Sequence, residues 1–189
     1  MAGRDPSWQA DIGKAVRTGQ IIVGALVGGC LFFLFILLVL APTGMAGGNR
    51  DPLITWIALG FGALTVVLRL IVPGLVVSRT LGAIARGTYQ LGLGQGRPVP
   101  NFERFIERTG DAGLLWTVYL TRTIVAGALL EGGAFFLLIS YLLEGQLLAL
   151  GAAIFLIVGI ALLMPTRNSV IHWIEDRLRD VEMERQMAK

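Results

Sequence analysis

The sequence predicts an all-α integral membrane protein. The expected form is a four-helix bundle from two similar helical hairpins, repeated in parallel, with amphipathic helices on the cytoplasmic side. Three observations lead there. Of 189 residues, 54% are hydrophobic and 15% charged, against roughly 25% charged in soluble domains; mean hydropathy is +0.71. The apolar residues are gathered into four blocks rather than scattered. The first and third blocks also resemble each other.

A bilayer core about 30 Å thick needs about 20 apolar residues in helical form. Four stretches qualify: residues 20–41, 53–77, 121–143 and 147–165. The first is read as a retained helix and not a signal peptide. Its apolar core is too long, Asp5 and Asp11 precede it, and Thr43 to Ala46 make a poor cleavage site.

Residues 1–19, 78–120 and 166–189 hold thirteen of the sixteen basic residues, and a fourteenth, Arg122, lies at the edge of the middle segment. The external segments 42–52 and 144–146 hold only Arg50. By the positive-inside rule both termini and the long middle segment lie in the cytoplasm, in a cytoplasmic (inner) membrane. Trp56 and Tyr141 on one side, and Trp116, Tyr119 and Trp173 on the other, fit interfacial aromatic belts.

The middle segment begins with a weak apolar stripe that its glycines make marginal as a helix. GQGRPVP then interrupts it. The glycines do not read as a phosphate loop, because no strand precedes them and no G-K-[ST] follows. Asn101 and Glu103 open a short surface helix carrying Phe102, Phe105 and Ile106, with a break expected at Gly110 or Gly113. In the tail, Val170, Ile171, Ile174, Leu178 and Val181 form an apolar stripe, and Glu175 and Arg179 are spaced for an ion pair. That stripe has two readings: docking onto a partner, or resting on the membrane or on the chain's own helices.

IIVGALVGGCLFFLFILLVL from Ile21 aligns without gaps to IVAGALLEGGAFFLLISYLL from Ile124, with ten of twenty positions identical. This is the basis for the repeat. Within it Gly24, Gly28, Gly29, Ala128 and Gly132 place small residues at four-residue spacing, which favours close helix packing in lipid.

Two charges fall inside spans. Glu131 lies about 15 Å from the inner edge and Arg69 about 12 Å from the same edge. The repeat equivalent of Glu131 is Gly28. An intramembrane charge costs at least about 2.5–3.5 kcal/mol unless paired or hydrated. Three readings stand side by side: a Glu131–Arg69 ion pair fixing the register of the bundle; Arg69 snorkelling to the headgroups beside a protonated or hydrated Glu131; and Glu131 as an ion- or proton-binding group. The stretch GALLEGGAFFLLISYLL around Glu131 resembles the carboxylate helix of the proteolipid c subunits of rotary proton ATPases. That resemblance covers about twenty residues and implies that Glu131 is a proton carboxylate. Unlike that family, this chain has a long cytoplasmic segment, and only Gly60 and Gly62 in the neighbouring span.

One histidine, His172, and one cysteine, Cys30, make no metal centre. No cofactor or nucleic-acid partner is expected, and no catalytic constellation is visible. The lipid bilayer is the expected environment. The expected role is a non-enzymatic scaffold or subunit, packing against itself or another membrane protein. Ion or proton translocation through Glu131 is the alternative.

Overall fold

A computed structural model describes residues 7–40, 52–85 and 100–187. Among the described residues six helices follow in order: α1 (Ser7–Leu40), α2 (Leu53–Ala85), α3 (Pro100–Thr109), α4 (Asp111–Glu144), α5 (Leu147–Ala161) and α6 (Arg167–Met187). Most of the segment 42–52, expected to be external, and all of GQGRPVP except Pro100 lie outside the described residues.

Three helices, α1, α2 and α4, are long and apolar enough to cross a membrane. The chain is a multi-pass helical membrane protein, but the expected bundle of two repeated hairpins is not what forms. The first pair of long helices has 34 and 33 residues, whereas α4 and α5 have 34 and 15. At 1.5 Å per residue α5 is about 22 Å long, short of the roughly 30 Å core. The block at 147–165 has the composition of a span, but its helix stops after Ala161. Leu162 and Leu163 form turns, and Pro165 disfavours helical geometry in the residue before it.

The long helices also run past their apolar blocks. α1 starts thirteen residues before Gln20, and α4 ten residues before Thr121. Apolar composition marks what lipid covers, whereas a helix continues as long as its backbone bonds and packing allow. α2 continues through Pro73, as membrane helices often do when neighbours satisfy the freed carbonyl. Gly110, at φ 57°, separates α3 from α4, and its N–H bonds the Ile106 carbonyl at 2.7 Å. Gly145, at φ 70°, turns α4 into α5, with its N–H on the Tyr141 carbonyl at 2.7 Å. Both are left-handed positions that glycine takes without a Cβ penalty.

The chain divides into two compact units. Unit 1 comprises Met1–Gly19, Gly74–Arg122 and Pro165–Lys189; unit 2 comprises Gln20–Pro73 and Thr123–Met164.

Unit 1 has a core like that of a soluble helical domain. Ile12 and Val16 of α1, Leu115 and Trp116 of α4, and Val170, Ile174, Leu178 and Val181 of α6 are buried together. The apolar stripe of α6 is thus covered by the chain's own helices. Each such side chain contributes about 1.5–3 kcal/mol by leaving water. Trp116 stacks on Tyr119 at 6.0 Å, Tyr119 meets Trp173 edge-on at 5.3 Å, and Arg177 lies over the Trp173 ring at 5.8 Å. Trp116 is therefore a core residue here, not part of an exposed belt. Arg185 forks onto Asp111 at 2.8 and 3.3 Å. Gln9 donates to Glu175, and Arg179 sits near Asp176 in place of the expected Glu175.

In unit 2 the core is Val23, Cys30 and Leu37 of α1, Ala58 of α2, Leu130, Ala134, Leu137 and Leu138 of α4, and Ala149 to Ile160 of α5. Half of α4's apolar stretch is buried, against 17% in α1 and 22% in α2. α4 is therefore the central helix, and α1 and α2 flank it. Gly133 lets α4 approach its neighbours closely: a Cβ there would stand 2.7 Å from Thr65 Oγ1 and 3.0 Å from Leu156 Cδ1.

Candidate functional site

Two polar places stand out among the described residues of unit 2. The first is Glu131, on α4. Its carboxylate points to α1, where a Cβ built at Gly29 would lie 3.7 Å from Oε1. Arg69 extends from α2 to α5 instead: its Nη1 lies 3.6 Å from the Cβ position of Gly159, beside Leu130 Cδ1 at 3.4 Å. Among the described residues no ion pair joins Glu131 and Arg69. The structure thus places the two charges near one level of α4 and does not bring them together. Leu130, not Glu131, shares the neighbourhood of Gly159 with the guanidinium. Adjacent helix positions differ by about 100° of azimuth, which is enough to send one side chain to α1 and its neighbour to α5.

The small-residue stripe meets its partner helix at one point. Gly29 receives Glu131, while Cβ atoms at Gly24, Gly28 and Gly132 would meet nothing within 4 Å, and Ala128 is exposed. α1 and α4 meet through other residues: Leu26 sits over Gly127, and the rings of Phe33 and Phe135 pack edge-on at 5.3 Å.

The second polar place was not visible as a site in the sequence. Pro52 precedes α2 and has no side-chain acceptor, so the first amides of α2 need a cap from elsewhere. Glu144, the last residue of α4, supplies it. Its carboxylate accepts from Ile54 N at 2.7 Å and Thr55 N at 2.8 Å, and the residue is 5% exposed. One helical turn earlier, Ser140 Oγ meets Thr55 Oγ1 at 3.0 Å, both residues buried. A carboxylate is disfavoured at the C-terminus of its own helix and favoured at the N-terminus of another. α2 therefore offsets the charge that α4 places poorly. The sequence signals were slight: a proline before the second block, and an acid opening a two-residue turn.

Among the described residues no group of three or more His, Cys, Asp or Glu is placed to hold a metal ion. Cys30 is a free, buried thiol. No family model matches the chain, and no curated protein and no solved structure is significantly similar to it.

Proposed function

We propose that the protein is a non-enzymatic component of a cytoplasmic (inner) membrane, with both termini in the cytoplasm, that packs against itself or another membrane protein. The observation that carries this is how unit 2 uses its polar groups. Glu144 caps α2, Thr55 bonds Ser140, and Thr65 bonds the Gly62 carbonyl at 2.7 Å. The first two hold α4 to α2, the third lies within α2, and all three leave those groups to structure. The orientation is supported by charge: fourteen of the sixteen basic residues fall within the sequence ranges of unit 1, and Arg50 and Arg69 within those of unit 2. The start of α1 and the whole of α6 belong to the same unit. The open positions at Gly24 and Gly28 leave a small-residue face on α1 suited to a further helix.

The test is the mass of the detergent-solubilised protein by light scattering, with Gly28→Leu as the variant. A complex that dissociates in the variant supports the assembly role. A monomer with no co-purifying membrane protein rejects it.

One observation favours a second reading, proton or ion binding at Glu131: the carboxylate has no cationic partner among the described residues. Flux into proteoliposomes separates the two. Under the assembly role, Glu131→Gln leaves flux at the level of empty vesicles and of wild type. Under translocation, wild type conducts and Glu131→Gln abolishes flux with assembly intact.

A further inference from the structure

Unit 1 contains a cavity of about 650 Å³ lined by Ala10, Gly13, Lys14, Arg17 and Arg167. The four α1 residues are spaced three and four apart and share one face. Arg167 comes from the opposite direction, as the first residue of α6. Its side chain lies close over the α1 backbone. A Cβ at Gly13 would stand 3.2 Å from Arg167 Nε, and a Cβ at Gly19 would stand 3.1 Å from Pro165 Cγ. Two glycines on α1, Gly13 and Gly19, thus let the segment entering α6 lie against α1 and hold the guanidinium beside Lys14 and Arg17.

Three cations converge on this cavity, and among the described residues none of them forms an ion pair. Gathering unpaired like charges is unfavourable unless an anion joins them. The first turn of α6 contains no acid, so its positive N-terminal end adds to the same field. Arg17 is three residues before Gln20, where the first apolar block begins. That distance is about 4.5 Å along the helix, which sets the cavity at the depth of lipid headgroups.

We infer that Lys14, Arg17 and Arg167 form a binding site for a phosphate group at the membrane surface. Arg offers paired N–H donors to phosphate oxygens and Lys a point charge. The bound group is the phosphate of an anionic lipid headgroup or a soluble phosphate, recognised by the same three side chains. The inference does not depend on what unit 2 does.

The experiment uses the full-length protein in neutral detergent. It is titrated separately with phosphatidylglycerol, phosphatidylcholine and inorganic phosphate, and bound ligand is read by native mass spectrometry. Phosphatidylglycerol is expected to bind about tenfold more tightly than phosphatidylcholine. Lys14→Gln, Arg17→Gln and Arg167→Gln are each expected to weaken it by about fivefold. Arg179→Gln, which removes an exposed cation elsewhere on unit 1, is expected to change it less than twofold. Lys14 and Arg17 are exposed on α1, so those variants carry the test if Arg167→Gln does not fold. Binding of inorganic phosphate that the same variants abolish, without preference for phosphatidylglycerol, keeps the site and makes its ligand soluble. Equal binding of both lipids with no phosphate binding overturns the inference. So does an Arg179→Gln effect as large as that of Arg17→Gln.

Discussion

The two units follow opposite rules with the same secondary structure. Among the described residues, the large hydrophobic side chains that are exposed belong to unit 2, except Leu75 and Met183. Phe32, Phe35, Leu64 and Phe155 stand 51–72% exposed there. In unit 1 the apolar side chains of α1, α4 and α6 turn inward around Ile174 and Leu115, both 0% exposed. Unit 2 presents apolar surface outward, as a helix bundle does whose solvent is hydrocarbon. Unit 1 hides it, as a domain in water must. Polar groups differ in the same sense. Glu144, Thr55 and Ser140 of unit 2 are turned inward onto a helix end and each other, whereas Arg185 and Asp111 of unit 1 form an exposed pair.

Substitutions on the outer surface give the largest contrast. Phe32→Arg puts a charge on the apolar face of α1 and is expected to cost about 2.5–3.5 kcal/mol of membrane insertion. Met183→Arg, on an apolar residue of unit 1 that is also more than half exposed, is expected to be neutral. The fraction of each variant recovered in the membrane checks this, and equal recovery breaks the distinction. Next is the core of unit 1. Ile174→Ala is expected to cost about 2–5 kcal/mol, read from denaturant unfolding of the solubilised protein. An effect below 1 kcal/mol would mean that α6 is not packed as described.

Within unit 2, Glu144→Ala leaves two amides at the start of α2 without an acceptor. A fall in Tm on the order of 5 °C or more is expected. Glu144→Gln keeps one acceptor oxygen and should fall by about half as much. If the two variants match wild type, the cap contributes nothing. The smallest contrast concerns two glycines. Gly133→Ala drives a methyl into Thr65 and Leu156 and is expected to cost about 1–3 kcal/mol. Gly28→Ala meets open space and should be neutral or stabilising by up to about 1 kcal/mol. Equal effects at both positions would remove the close approach of α4 from the account.

The comparison also explains what was legible in the sequence. The all-α class and three of the spans follow from apolar blocks, because hydropathy is a local property that lipid reads directly. The stripe Val170, Ile174, Leu178, Val181 likewise gives its own face away. What covers it does not, since Ile12, Val16 and Leu115 come from distant parts of the chain. The failure at α5 has the same root. Leu147 to Pro165 is apolar enough for a span, yet helix length depends on where turns and a proline end it. The levels of Glu131 and Arg69 follow from counting residues. Their directions depend on how α4 is rotated between α1 and α5, which no single helix records. Glu144 gives no sign of its role in the external segment 144–146, because its partners, Ile54 and Thr55, lie about ninety residues away.

The central claim is that one unit is solvated by lipid and the other by water. Site-directed spin labelling tests it directly, in the Cys30→Ser protein reconstituted into bilayers. Single labels at Phe32, Leu64, Arg179 and Met183 would be compared for collision with oxygen and with a water-soluble nickel chelate. The account predicts oxygen access at Phe32 and Leu64, and nickel access at Arg179 and Met183. Nickel access at all four positions, or oxygen access at all four, would contradict it.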